Sequence, residues 1–126
     1  MTSQAQALSR RAVSCKGWRF MPGMRCIPVG GGFPVRYNGP PCRDMPDAGS
    51  VRYIPDLTDP ATLGCLLALV RESWGRPMLV AYYAPLSMGE GWYVAYRFCG
   101  DRDYPVNEAP SGSEAAALIV ALEKAP

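Results

Sequence analysis

The chain has 126 residues, 48% of them hydrophobic, with 13 Lys and Arg against 11 Asp and Glu and a formal net charge of +2. That length supports one domain around a single core, and no apolar run is long enough to cross a bilayer. Histidine is absent, which excludes Ser–His and Cys–His nucleophilic pairs and removes the commonest general base near neutral pH.

The five cysteines (Cys15, Cys26, Cys42, Cys65 and Cys99) form no CxxC pair. Structural zinc is normally held by Cys and His in paired short spacings. Cys15, Cys26 and Cys42 are the one set offering convergence, and reduced, mostly buried thiols without metal or cofactor are the expectation. The opening MTSQAQALSRRAVS lacks the continuous apolar stretch of a secretory signal, so a cytoplasmic protein is expected. Charge is uneven along the chain. Residues 1–54 carry eight Lys/Arg against two Asp, and residues 55–126 carry five against nine acids. Such polarity suits either an anion-binding face or attraction between layers of one domain.

Residues 3–13 have weak helical character, with Ala5, Leu8 and Ala12 on one side and Arg10 and Arg11 solvated. Residues 1–15 therefore read as a short helix or an arm, ahead of a single domain over 16–126. Gly17–Phe20 and Met24–Val29 read as the two arms of a hairpin turning at Pro22-Gly23. Phe33–Asn38 is a third strand, placed at a sheet edge by Pro34. Gly30-Gly31-Gly32 is a turn and not a phosphate loop: it lacks GxxxxGK[ST], and Pro34 follows where a cradle needs amide donors. Gly39–Ser50 is a Pro- and Gly-rich loop, and Val51–Ile54 a short strand.

The strongest element is the helix opened by Asp59 and Pro60 and closed by Gly75 and Pro77. Leu63, Leu66, Leu67, Val70 and Trp74 share one face, and the opposite face is also poor in charge. It reads as the central core helix, with Gly64 and Ala68 forming a low ridge for close packing or for a homo-oligomer contact. Met78–Ala84 and Trp92–Phe98 form an antiparallel hairpin, one of whose faces is expected to carry Tyr83, Tyr93 and Arg97, paired as aromatics across strands. Gly100–Pro110 is an acidic loop. Ser111 and Glu114 have the spacing of a capping box, opening a last helix that ends near Lys124. The expected class is α+β: a twisted antiparallel sheet with two helices on one face, in the order ββ(β)α-ββα.

The stretch DPATLGCLLALVRESWG, with its preceding strand, the Trp-containing hairpin after it and the terminal SEAAALIVALEKAP, resembles a set of small bacteriophage and prophage proteins. The resemblance covers roughly residues 51–126, with a weaker match at GWRFMPGMRC. It implies a phage or prophage origin and supplies no catalytic residues. A non-enzymatic accessory protein is then expected, one that antagonises bacterial defence by binding a host protein or sequestering a nucleotide-type ligand. The candidate ligand-binding residues are Trp18, Arg19, Arg25, Arg36, Tyr37, Arg43, Arg52 and Arg97. With Tyr53, they offer guanidinium groups for phosphates and rings for stacking a base. The alternative is nucleic-acid binding by the basic N-terminal half. An enzyme is disfavoured, because the acids Glu90, Asp101, Asp103 and Glu108 fall in loops with no reason to converge. No membrane partner is expected.

Overall fold

The three helices are set by their caps. In the computed structural model, which describes residues 2–38, 52–86, 89–97 and 103–126, α1 runs from Ser3 to Val13 behind Thr2, whose hydroxyl accepts from Ala5 N at 3.1 Å. Helix α2 is Pro60–Trp74. Its Asp59 cap accepts from Thr62 N at 3.0 Å, and Pro60 occupies the first helical position, where no N–H is needed. It ends as the sequence indicates. Gly75 is left-handed (φ 61°), and Arg76 N and Gly75 N donate to Arg71 O (2.9 Å) and Glu72 O (3.1 Å), the paired bonds of a Schellman motif.

Helix α3 is Glu114–Lys124, and here the expected cap is corrected. The N-cap is Ser113, which accepts from Ala116 N at 3.1 Å, and Glu114 lies in the first turn. Ser111 is spent elsewhere: it exchanges two backbone hydrogen bonds with Trp92, at 2.9 and 3.0 Å. A capping-box spacing carries no information about such long-range strand pairing.

Strands β1 (Arg25–Pro28), β2 (Val35–Arg36) and β3 (Tyr53–Pro55) form one antiparallel sheet in the order β2-β1-β3. Strands β4 (Leu79–Leu86), β5 (Gly89–Arg97) and β6 (Asp103–Pro105) form a second, in the order β4-β5-β6. The class is α+β, as expected. The strands are divided between two sheets, however, and α1 joins the other two helices. Pro34 does adjoin an edge strand, β2.

Gly17–Phe20 is not a strand. After α1 the chain turns, with Cys15 N donating to Ala12 O and Trp18 N to Cys15 O, both at 3.1 Å. The segment then presses against the helices: a Cβ on Gly17 would sit 2.2 Å from Ser73 Oγ and 3.1 Å from Leu122 Cδ1. That close approach replaces the hairpin, and β1 pairs instead with β2 and β3. The acidic stretch after Gly100 likewise contributes β6 to the second sheet. The predicted loop Gly39–Ser50 lies outside the described residues.

The centre of the core is α3 rather than α2. Ala115, Ala117, Leu118, Ile119, Ala121 and Leu122 are all buried, and α3 packs on α1, α2, β4 and β5. Three alanines in that set let neighbouring elements approach closely. On α2, Leu66, Leu69 and Val70 are buried, but Gly64 is exposed, and a Cβ there would meet nothing within 4 Å. The close packing expected at Gly64 is therefore not made among the described residues.

The register of the second sheet also corrects the expected faces. Tyr83 pairs with Trp92 and Tyr82 with Tyr93, so Tyr83 and Tyr93 lie on opposite faces. Both aromatic pairs are in contact, Tyr83–Trp92 edge to face at 6.0 Å and Tyr82–Tyr93 tilted at 6.3 Å. Leu79 and Val94 are in the core, with Ala81 and Trp92 packed against it.

Two side chains join the sheet to the helices by polar contacts. Asn107, 2% exposed, accepts from Val94 N at 2.8 Å and donates to Ala117 O at 3.1 Å. Trp74 Nε1 donates to Ala121 O at 2.8 Å, satisfying a carbonyl in the last turn of α3 that otherwise lacks a helical partner. Replacing Asn107 with Leu orphans the buried Val94 N–H, while Ala117 O keeps its bond within α3, and a buried unsatisfied group costs about 1–3 kcal/mol. Asn107→Leu is expected to lower the free energy of unfolding by about 1–3 kcal/mol in urea titrations, whereas removing an exposed side chain such as Gln4 changes it little.

Candidate functional site

Seven of the basic residues of the N-terminal half lie among the described residues, and their partners separate them into two groups. Arg25 and Arg36 belong to a polar knot at the start of α2. Arg25 Nη1 donates to Asp56 Oδ2 at 2.6 Å, and its backbone N to Thr62 Oγ1 at 2.8 Å. Arg36 forms a bidentate pair with Asp59 and also donates to Gly23 O at 2.9 Å. Asp56 is 3% exposed and takes two further hydrogen bonds from Thr58, at 3.0 and 2.6 Å. Burial pushes the Asp56 carboxyl up, but the bonds from Thr58 and Arg25 outweigh it, so its pKa lies below the ordinary value. The hydrogen bond from Arg36, helped by Thr62, brings Asp59 down to about 2. These are structural pairs.

Arg19 reaches Glu72 at 2.7 Å on the surface, and Arg11 forms a two-bond pair with Glu123, at 3.2 and 2.6 Å. Tyr37, 9% exposed, is part of the core, its backbone bonded to Met24 and Gly23. Trp18 packs against the core and meets Phe20 edge to face at 5.3 Å. Its Nε1 is buried without a hydrogen-bond partner among the described residues. Arg43 and the side chain of Arg97 lie outside the described residues.

Among the described residues, Arg10, Lys16 and Arg52 are the N-terminal cations in no ion pair. Arg10 and Arg52 both line a cleft of about 520 Å³ whose other walls include Val13, Phe20, Val29 and Tyr53. The fold builds this cleft in three steps. Ser9 Oγ donates to Pro55 O at 2.8 Å in a buried contact, pinning α1 beside β3. Ala12, fully buried, fixes the rotation of α1 and leaves Arg10 outward. Val29 N then donates to Arg52 O at 2.9 Å, extending the β1–β3 ladder beyond the Pro28–Tyr53 pair and setting Arg52 and Tyr53 at the cleft wall. Two guanidinium groups lining one cleft with aromatic and aliphatic side chains suit a ligand with an anionic part and a flat apolar part.

The site therefore keeps Arg52 from the sequence-nominated residues, with Tyr53 beside it, and adds Arg10, Phe20 and Val29. Arg10 had a legible signal: Ser9 and Ala12, three apart, are the buried side of α1, so Arg10 must point away. Phe20 and Val29 had none, since the close approach of three separate segments places them there.

Groups suited to other chemistry are weak. Burial raises the thiols of Cys15 and Cys65, and brings Cys26 up to about 11, which disfavours the thiolate needed of a nucleophile. Among the described residues no cluster of Cys, Asp and Glu could hold a metal ion. No helix among them is long and apolar enough to cross a membrane. No protein-family model matches the chain, and neither a curated protein nor a solved structure does so.

The Asp59 pair makes a pH prediction. Its folded pKa of about 2 lies below the ordinary 3.8, so its stabilisation is fully present above the unfolded value and is lost as pH falls toward 2. Arg36→Gln is expected to reduce stability at neutral pH. The gap from the parent protein should close between about pH 4 and pH 2, as read from unfolding midpoints in urea across that range.

Proposed function

We propose that the protein is a non-enzymatic binding protein that takes an anionic, nucleotide-type ligand in the cleft between Arg10 and Arg52. The observation carrying this reading is the partition of the cations: four described arginines of the N-terminal half are in ion pairs, while the two facing this cleft are not. Leaving two guanidinium groups uncompensated beside Phe20 and Tyr53 suits capture of phosphate by the former and stacking of a base by the latter. The cleft volume of about 520 Å³ is within the ordinary range for small-molecule sites. The resemblance of residues 51–126 to phage and prophage proteins supplies the biological setting. The protein acts in a host cell as an accessory factor that sequesters a nucleotide signal used in defence.

The test is a thermal-shift screen with cyclic mononucleotides and ADP-ribose, followed by calorimetric titration of any ligand that stabilises the protein. Arg52→Ala removes one charge-assisted contact worth about 1.5–3 kcal/mol, so affinity is expected to fall roughly 10- to 100-fold. Arg19→Ala, on a surface ion pair outside the cleft, is expected to bind as the parent does. If no nucleotide stabilises the protein, sequestration is wrong.

A further inference from the structure

We infer that the ligand is at least two phosphodiester-linked nucleotides, one held between Arg10 and Arg52 and the next phosphate carried over the Arg10/Ser14 ridge to Lys16. This rests on the nucleotide reading of the first cleft and specifies the ligand further.

A second cleft, of about 620 Å³, lies on the other side of the C-terminal half of α1, and Arg10 and Ser14 line both. The two residues are one helical turn apart and so stand one above the other on α1. They form a crest with a cleft on either flank. Arg52 lines the first cleft and Lys16 the second, so a ligand reaching both must cross that crest.

The side chains of the second cleft are net positive, with the C-terminal end of α3 also on its wall. Arg11 and Glu123, both on its wall, neutralise each other through their two-bond pair. Cys15 is held as a neutral thiol, its Sγ donating to Arg11 O at 3.3 Å. Ser14 Oγ is turned back onto Arg10 O at 2.9 Å. Among its charged side chains, Lys16 and the shared Arg10 are in no ion pair. Three cations in the succession Arg52, Arg10, Lys16 therefore follow one path over the surface. A mononucleotide can engage the first two, while a backbone of successive phosphates can engage all three. The alanine and leucine side chains of the second cleft, Ala7 and Leu122 among them, give a second base an apolar wall.

The experiment compares three probes by fluorescence anisotropy or competition: thymidine 5′-monophosphate, a short linear oligothymidylate, and a cyclic dinucleotide. The parent protein is expected to bind at least one of the two linked probes about tenfold or more tightly than the monophosphate. Preference for the linear probe identifies single-stranded nucleic acid as the source, and preference for the cyclic one identifies a signalling dinucleotide. Lys16→Ala should weaken the preferred linked probe several-fold and leave the monophosphate unchanged, and Lys16→Arg should restore binding. For the linear probe, Lys16→Ala should also flatten the salt dependence by about 0.7 in log K against log salt, one phosphate contact. Arg52→Ala should weaken every probe. Equal affinity for all three probes, or no effect of Lys16→Ala on the linked ones, overturns the two-nucleotide ligand. If Arg52→Ala still weakens the monophosphate in that case, the single-cleft reading stands alone. If Arg52→Ala changes nothing, both fall together.

Discussion

Asp56 and Asp59, three residues apart just before α2, determine what the arginines of the first half of the chain do. Each carboxylate has two tasks. Asp56 accepts from Thr58 in its own turn and from Arg25 on β1. Asp59 caps α2 through Thr62 and grips Arg36 on β2. Thr62 completes the knot by accepting from Arg25 N. One helix start thus binds two strands of the first sheet, and Asp56 N donating to Arg25 O at 2.8 Å continues the β1–β3 ladder into the cap. The partners differ in exposure, Asp56 at 4% and Arg25 at 41% for their side chains. The bond is therefore a charge-assisted contact at the edge of the core, stronger than an open surface pair and with less desolvation cost than a fully buried one.

What the sequence revealed and what it hid follow from the range of the forces. The caps of α2 depend on near neighbours in the sequence, and α2 begins and ends where Asp59 and Gly75 direct. The antiparallel hairpin β4–β5 depends on alternation over adjacent runs and was equally legible. Ser111 and Gly17–Phe20 misled for one reason. Both look locally like familiar units, a capping box and a strand, but each is claimed by a partner far along the chain. Trp92 takes the backbone of Ser111, and α2 and α3 take the flat side of Gly17. The Arg cluster misled similarly. A count of arginines is visible in the sequence, but Arg25 and Arg36 answer to carboxylates 31 and 23 residues away.

The rank of the helices is a related matter. Helix α2 has the longer apolar run, yet α3 is the more enclosed, because it is rich in alanine and stands between α1, α2 and the second sheet. A buried helix needs its surroundings to fit closely more than it needs large side chains. Asn107 marks the closest of these fits. Beyond β6 the ladder continues through Val106 N to Val94 O. The next donor, Val94 N, is met by the Asn107 side chain, which also reaches the backbone of α3. A buried amide using both ends in this way sets the distance between strand and helix more narrowly than apolar contact, which has no direction.

The same packing explains why the candidate cleft lies where it does. Helix α1 is fixed on its inner side by Ser9 and Ala12 and at its flank by Arg11 to Glu123. The next outward position is Arg10, and five acids of the second half of the chain are engaged with other cations. Asp56, Asp59, Glu72 and Glu123 each hold another arginine, and Glu108 holds Lys124. Among the described residues, these pairs cancel part of the charge segregation along the sequence, at specific contacts that hold the layers together. Among the described residues of the N-terminal half, the cations left in no ion pair are Arg52, Arg10 and Lys16, around the end of one helix. A net charge of +2 spread evenly over a surface would attract anions only weakly. Three uncompensated cations following one crest between two clefts concentrate that attraction where apolar and aromatic walls can add to it.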